Sequence, residues 1–415
     1  MTADLASTRA LAVELGGQRI GVISRLAGDR QLFAFEQSYV DDPARPTLSL
    51  SFKGQGGAIV TTPRSYVARV PPFFANLLPE GPLRSYLAAH AGVKPEREFF
   101  LLAALGADLP GGLLVAPLDR EHESPAPPAA APGAGPVDQA ASPVLRFSLA
   151  GVQLKFSAVL EAAGGLTIPA GGLGGSWIVK LPSAQLPAVP ENELAMLALA
   201  RAVGIAVPDN RLVPVAEIEG LPPDVAGLEG HALAVRRFDR GPAGERIHGE
   251  DFAQVFGLFP EDKYSRKSYA NVAAVLWAET GAEGTYEFVR RLVFSVLIGN
   301  GDMHLKNWSL LYPDGRTPAL APAYDFVSTV PYIAGDRLAL SFGGSRSLAG
   351  ITKDQVRRFA DTARLPVSPV WEIVGETVQR TTEAWRGLDA KDALPAGLRQ
   401  QVDRQIAAAA TATEK

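Results

Sequence analysis

The chain has 415 residues, of which 47% are hydrophobic and 20% are charged, and its formal net charge is −4. This length predicts two or three domains, and the acidic balance gives no general attraction to DNA, which would need a local basic patch or a partner protein. The sequence has no cysteine, which excludes disulfides and thiolate zinc sites. It shows neither an apolar run of ~18 residues nor a signal-peptide pattern, so we expect a cytoplasmic protein without a membrane partner.

Residues 1–120 predict a small β-rich domain that ends in helices. Polar and apolar residues alternate in LAVEL, RIGVIS, QLFAFE and TLSLSF, a pattern typical of short strands. Helices are expected over residues 83–90 and 96–105. The next segment, 121–143, is dominated by proline and alanine and predicts an extended linker.

Residues 144–240 predict a β-rich lobe that binds a nucleotide. The stretches FSLAGVQLKFSAVL, SWIVKLP and HALAVRRFDR indicate strands. Between the last two, ENELAMLALARAVG carries apolar residues at helical spacing. It ends at Gly204, and a glycine commonly closes the C-terminus of a helix.

Residues 241–415 predict a helical catalytic lobe. Candidate helices are EDFAQVFGLF, YANVAAVLWAET and TYEFVRRLVFSVLIGN, and the end of the third is apolar on all sides, which indicates burial. WSLLY and a strand near PALAP form an expected hairpin, and the alanine-rich tail is expected to fray. A β-rich lobe followed by a larger helical lobe outlines a bilobal nucleotide-binding fold.

The stretch IGNGDMHLKN contains the pattern D-x4-N, and Asp325 follows 18 residues after Asn307. Phosphoryl transfer uses a carboxylate that orients or deprotonates the acceptor hydroxyl, together with oxygen ligands that hold Mg²⁺. Asp302 could be that carboxylate, with Asn307 and Asp325 as metal ligands. Alternatively, Asp302 and Asn307 only stabilise a loop, as Asp and Asn often do.

Two further groups of residues lie in the predicted β-rich lobe. Alternation in SWIVKLP places Lys180 opposite its apolar neighbours, where it could bind phosphate and pair with Glu193. The alternative is a solvated lysine on an edge strand. In FSLAGVQLK, Ser148, Gly151 and Lys155 surround a short turn whose amides could bind phosphate, or which is a plain β-turn.

Several motifs resemble, in order and spacing, those of the HipA family. They are FSLAGVQLK, VKLP, NELAMLALARAVGIAVP, RRFDR, EDFAQVFGL, KYS, IGNGDMHLKN and APAYDF, with NLLPEGPLR upstream. The resemblance implies an α+β, bilobal protein-kinase-like fold with an N-terminal β-rich subdomain. It also implies a serine/threonine kinase that uses ATP and Mg²⁺ and acts as the toxin of a type II toxin-antitoxin pair.

The resemblance also implies a role for individual residues. Asp302 would be the catalytic base, and His304, Lys306 and Asn307 would lie in the same catalytic loop. Asn307 and Asp325 would be the Mg²⁺ ligands. Ser148 would be the autophosphorylated residue. The residues implied in ATP binding are Ala150, Gly151, Val152, Gln153, Lys155, Lys180, Glu193, Arg236, Phe238 and Tyr324.

Two positions depart from the family pattern. Arg236 stands where the family's hinge usually has glutamate, and Gly249 stands where glutamine is often found. Both departures bear on side-chain contacts to the nucleotide, whereas backbone hydrogen bonds of the hinge do not depend on them.

The implied partners are a HipB-like helix-turn-helix antitoxin, operator DNA bound through that antitoxin, and an aminoacyl-tRNA synthetase as the phosphorylated substrate. Two other functions stay open at this point. The D-x-H-x-x-N arrangement also resembles aminoglycoside and choline kinases, which phosphorylate small molecules. A catalytically inactive corepressor in an antitoxin-DNA complex is the second alternative.

Overall fold

The computed structural model describes residues 7–118, 154–160, 166–168, 175–183, 185–221, 225 and 227–413. These residues divide into two compact units, one made of residues 7–109 and 113–118 and the other of residues 110–112 and those from 154 onward. The predicted linker 121–143 lies outside the described residues, so the predicted domain boundaries stay a prediction.

The first unit is built around a five-stranded antiparallel sheet in the order β4-β3-β2-β1-β5. Apolar side chains of β1 and β5 are buried, and α4 packs against β5. The strands are β1 (Ala10–Leu15), β2 (Gln18–Leu26), β3 (Arg30–Phe35), β4 (Ser65–Val67) and β5 (Leu113–Pro117), and the helices are α1 (Gln37–Asp41), α2 (Pro72–Ala75), α3 (Gly81–His90) and α4 (Glu98–Leu105).

One predicted strand of this unit is wrong. The stretch TLSLSF contains a 3₁₀ turn at Leu50–Phe52 instead of a strand. The Ser49 hydroxyl accepts a hydrogen bond from the Ser51 backbone N–H and starts the turn. Local bonds of this kind compete with strand pairing, which the alternating pattern alone does not reveal.

The second unit contains two sheets. A six-stranded sheet has the order β10-β7-β6-β8-β11-β9, so β8 is an interior strand, and a three-stranded sheet has the order β12-β13-β14. The strands are β6 (Lys155–Leu160), β7 (Leu166–Thr167), β8 (Trp177–Lys180), β9 (Asn210–Pro214), β10 (Ile218–Glu219), β11 (His231–Arg236), β12 (His248–Asp251), β13 (Ser309–Tyr312) and β14 (Ala319–Leu320).

The helices of the second unit follow the predicted pattern in most places. Gly204 closes α5 in the left-handed conformation, with φ 93°. Gly281 is non-helical within α7 and separates the two helices that the sequence predicts there. The helices are α5 (Val189–Val203), α6 (Phe252–Val255), α7 (Tyr269–Ile298), α8 (Lys353–Ala363), α9 (Val367–Arg386) and α10 (Ala396–Thr413).

The core of the helical part surrounds the C-terminal end of α7. Every residue from 291 to 298 is buried, and α8, α9 and α10 pack against this helix. The alanine-rich tail does not fray, because Ala409 and Ala410 are buried in α10 and the Thr413 hydroxyl accepts a hydrogen bond from the Ile351 N–H at 3.0 Å. None of the helices among the described residues has the length and apolar character needed to cross a membrane.

Candidate active site

The loop that contains Asp302 begins where α7 ends. Gly299 closes the helix in the left-handed conformation, with φ 69°. Two asparagines then fix the backbone of Asp302: its N–H donates to Asn300 Oδ1 at 3.0 Å, and its carbonyl accepts from Asn307 Nδ2 at 2.9 Å. This contact leaves the amide oxygen of Asn307 to act as an acceptor or metal ligand.

A second loop, which carries Asp325, is tied to the first. Asn300 Nδ2 donates to the Asp325 carbonyl at 3.3 Å, and the Thr329 N–H donates to the Gly299 carbonyl at 2.9 Å. Asp325 itself has φ 55°, in the left-handed region that few residues other than glycine adopt. Such conformations cluster at functional sites, where the surrounding structure holds them in place.

The side chain of Asp325 belongs to a lysine–carboxylate cluster made of Lys155, Lys180, Glu193 and Asp325. Lys180 donates hydrogen bonds to both Glu193 and Asp325, and Lys155 Nζ lies 3.5 Å from Asp325 Oδ2. β6 and β8 place the two lysines directly opposite each other, and α5 supplies Glu193. Lys180 and Glu193 are buried, so Lys180 is not the solvated edge-strand lysine of the alternative interpretation.

The electrostatics of this cluster favour charged Lys180 and Asp325. Burial alone raises the pKa of Asp325, but the positive charges of Lys155 and Lys180 outweigh it and hold this pKa well below its usual range. Burial lowers the pKa of Lys180, and the charges of Asp325 and Glu193 reverse this effect and raise it. The pKa of Glu193 is raised, because its burial and the nearby Asp325 charge outweigh the attraction of the lysines.

Tyr324 connects the two loops beside this cluster. Its hydroxyl donates to the Lys306 carbonyl at 2.8 Å and lies 2.6 Å from the Ser309 hydroxyl. Its ring centroid is 5.5 Å from that of Phe238. Burial raises the pKa of Tyr324, so its hydroxyl stays protonated. Tyr324 precedes Asp325 in the sequence, and Lys306 precedes Asn307. The bond between Tyr324 and Lys306 therefore joins the backbone segments that carry Asp325 and Asn307.

The other predicted site residues divide into three groups. His304 is buried in the loop that contains Asp302. Arg236 ends β11, where its guanidinium is 3.5 Å from the exposed carboxylate of Asp209. The residues that lie outside the described part of the chain are Ser148, Ala150, Gly151, Val152 and Gln153.

The sequence interpretation missed a buried network around Asp239 in RRFDR. The Asp239 carboxylate accepts hydrogen bonds from Arg237 at 2.8 and 2.9 Å, from Arg240 at 2.9 Å, and from the Gly111 N–H at 2.8 Å. Burial alone would raise the pKa of Asp239, and the bonds and charge of Arg237 lower it instead. The alternating charges of RRFDR are the pattern from which this network could have been predicted. The network joins Arg237 and Asp239, the residues on either side of Phe238.

Gly249 also has a structural explanation. A Cβ atom at this position would lie 2.7 Å from the Leu310 carbonyl oxygen and 2.9 Å from Leu311 Cδ2. Both contacts are too close for a side chain, so β12 can pair with β13 in this manner only because residue 249 is glycine. This departure from the family pattern therefore accompanies tight packing between two strands.

The oxygen donors of Asp325 and Asn307 are of the type that would suit a magnesium ion bound jointly with a nucleotide. Within the described ranges, no group of three or more His, Cys, Asp or Glu side chains could hold a metal ion by itself. Mg²⁺ is usually bound by one or two carboxylates together with waters and substrate phosphates. The Asp325 carboxylate and the Asn307 amide oxygen supply a donor set of this kind.

Comparison with known proteins adds family information to this geometry. A family model described as the HipA-like C-terminal domain matches residues 147–385, and another described as the HipA N-terminal domain matches residues 11–116. "Putative kinase Y4dM" of Sinorhizobium fredii (strain NBRC 101917 / NGR234) is 52% identical over 378 residues, which cover 90% of this chain and 91% of that protein.

Two further similarities extend over almost the whole chain. "Putative kinase Y4mE" of the same organism is 31% identical, with 91% of each chain covered. A solved structure of the toxin-antitoxin system HipA and HipB of Shewanella oneidensis MR-1 with its operator DNA matches with a TM-score of 0.73. The sequence identity is 22%, and the match covers 97% of each chain. The TM-score and this coverage together establish the fold.

Proposed function

The chain belongs to the HipA family, and from this premise we propose that it is a serine/threonine protein kinase that uses ATP and Mg²⁺ and acts as the toxin of a type II toxin-antitoxin module. The observation that carries the proposal is the buried Lys180, which donates to both Glu193 and Asp325. A lysine held by a helix glutamate beside a metal-binding aspartate is the arrangement that protein kinases use to bind ATP phosphates.

Each member of the lysine–carboxylate cluster has a task in this proposal. The raised pKa of Lys180 keeps its ammonium charged, so it can exchange its bond with Asp325 for a bond with a phosphate oxygen. Glu193 keeps the ammonium in place during this exchange. Asp325 and Asn307 would hold Mg²⁺, which would neutralise charge on the phosphates.

The chemical step is the transfer of the γ-phosphoryl group to a serine or threonine hydroxyl. The acceptor oxygen forms a bond to the γ-phosphorus, and the bond between that phosphorus and the bridging oxygen of ADP breaks. The Asp302 carboxylate accepts the proton of the hydroxyl. Asn300 and Asn307 bind the backbone N–H and carbonyl of Asp302 and so fix the main chain that carries this carboxylate.

The nucleotide-binding roles of the remaining predicted residues are part of the proposal. Phe238 and Tyr324 contribute neighbouring aromatic rings. The backbone near Arg236 supplies the hinge hydrogen bonds to adenine, and Lys155 binds phosphate together with residues 150–153. Autophosphorylation of Ser148 would place negative charge where the nucleotide phosphates bind and would switch the kinase off.

We propose a small helix-turn-helix antitoxin as the partner and operator DNA as the ligand of that complex. The fold shared with the HipA of the Shewanella oneidensis complex supports this assignment. An aminoacyl-tRNA synthetase is the proposed substrate and the cytoplasm the proposed location. Both of these assignments rest on the family resemblance.

Radiolabelled ATP incubated with the purified chain and a cell lysate tests the function. The proposal expects labelled protein bands in which the label is on serine or threonine. Labelled small molecules without labelled proteins would indicate a small-molecule kinase. If no label is transferred and the chain still enlarges an antitoxin-DNA complex, the chain is a non-catalytic corepressor.

A further inference from the structure

Tyr264 lies at the end of a 3₁₀ helix, Pro260–Tyr264, in the motif KYS, to which the sequence interpretation gave no role. Its hydroxyl is 2.6 Å from Asp302 Oδ1. An ionised carboxylate only accepts hydrogen bonds, so the tyrosine hydroxyl is the donor. Bonds of this charge-assisted kind are shorter and stronger than those between neutral groups.

Tyr264 is held both at its ring and at its backbone. It packs edge-on against His304, with 5.0 Å between the ring centroids and 82° between the ring planes, and His304 is buried. The backbone carbonyl of Tyr264 accepts a hydrogen bond from the Arg346 guanidinium at 3.3 Å. The hydroxyl therefore reaches Asp302 from a fixed position rather than from a mobile side chain.

These contacts complement those that hold the main chain of Asp302. Asn300 and Asn307 bind its N–H and its carbonyl, and neither of these contacts restrains rotation of its carboxylate. The bond from Tyr264 to Oδ1 restrains that rotation. The backbone and the side chain of Asp302 are thus fixed by different residues.

We propose that Tyr264 is a positioning residue for phosphoryl transfer, and that its hydroxyl sets the orientation of the Asp302 carboxylate towards the acceptor. This inference rests on the proposed kinase function. A small misplacement of a reacting group costs on the order of 100-fold in rate. Loss of the hydroxyl should therefore lower kcat by about 10- to 100-fold, while ATP binding stays unchanged because the hydroxyl bonds to Asp302 and not to a proposed phosphate or metal ligand.

An opposite role is a gate, in which the tyrosine hydroxyl occupies the place of the acceptor hydroxyl and must leave before the reaction. Removal of a gate would raise the rate. The edge-on packing against buried His304 favours the positioning role, because a gate needs a ring that can move away.

The test compares Tyr264→Phe with the unaltered chain. This substitution keeps the ring against His304 and removes only the hydroxyl. Steady-state transfer from Mg-ATP to water and to dephosphorylated casein gives kcat and KM, and calorimetry gives the Kd for ATP. Tyr269→Phe is the matched control, because it removes a hydroxyl that donates to the Met303 carbonyl of the same loop at 3.0 Å.

The positioning role predicts a lower kcat for Tyr264→Phe, an unchanged Kd for ATP, and a kcat near that of the unaltered chain for Tyr269→Phe. A normal or increased kcat in Tyr264→Phe, or an equal loss in Tyr269→Phe, would overturn it. Asp302→Asn separates this failure from failure of the kinase proposal. If Asp302→Asn is inactive and Tyr264→Phe is normal, only the positioning role is wrong. Activity of Asp302→Asn equal to that of the unaltered chain would remove the role of Asp302 as the base. Failure of the unaltered chain to transfer phosphate to protein would remove the kinase assignment itself.

Discussion

Lys180 and Asp325 are 145 positions apart in the sequence, and the ammonium of one donates a hydrogen bond to the carboxylate of the other. The same ammonium donates to Glu193. One buried cation therefore satisfies a carboxylate from α5 and a carboxylate from the loop that carries the proposed metal ligand. Lys180 therefore contributes both to the stability of the second unit and to the proposed binding of ATP. These two contributions can be measured separately.

Lys180→Met should lower the free energy of unfolding of the nucleotide-free protein by about 3–5 kcal/mol, because removal of one partner leaves a buried carboxylate unpaired. Urea denaturation measures this loss. A second substitution, Glu193→Gln, should recover part of the stability of Lys180→Met without restoring ATP binding, since the buried charge is then also removed.

Lys155→Met is the matched control for this experiment. The Lys155 side chain is 28% exposed and lies 3.5 Å from Asp325, so solvent screens this ion pair more than the buried pairs of Lys180. Its removal should cost about 1 kcal/mol or less. Equal losses in Lys180→Met and Lys155→Met would mean that the buried pairing has no special contribution.

Asp325→Asn should weaken the dependence of ATP binding on Mg²⁺, because the substitution keeps the shape of the side chain and removes its charge. Calorimetric titrations with ATP, in MgCl₂ and in EDTA, measure this dependence. Asp314→Asn serves as a control, since Asp314 is an exposed turn residue that accepts hydrogen bonds from the Arg316 and Thr317 N–H groups. An unchanged Mg²⁺ dependence in Asp325→Asn would show that Asp325 is not a ligand.

Much of the site could be predicted from local patterns. Alternation in SWIVKLP placed Lys180 opposite Val179 and Leu181, and these two residues are fully buried. The apolar run before IGNGDMHLKN indicated a buried helix end, and α7 ends there at Ile298. Both features depend on residues that are close in sequence, which is why periodicity was sufficient to find them.

The contacts that fix the site could not be predicted in this way. Tyr264 bonds to Asp302, 38 positions away, and Gly111 bonds to Asp239, 128 positions away. No periodic pattern indicates which distant residues meet. Arg236 shows the same limit, because its position in the hinge motif was readable, whereas its pairing with Asp209 was not.

Binding of operator DNA should require the antitoxin. The net charge of −4 gives the isolated chain no general attraction to DNA at moderate salt. A gel-shift titration with an operator fragment, performed with the chain alone and then with antitoxin added, measures this requirement. Tight and operator-specific binding by the chain alone would contradict the prediction.

Phosphoryl transfer assisted by Asp302 is tested most directly by the rates of γ-phosphoryl transfer from labelled ATP in the unaltered chain and in Asp302→Ala. A positioned general base contributes about 10²–10⁴-fold, so the rate should fall by this factor while circular dichroism and ATP affinity stay the same. A folded Asp302→Ala protein that transfers phosphate at a rate close to that of the unaltered chain would contradict the account.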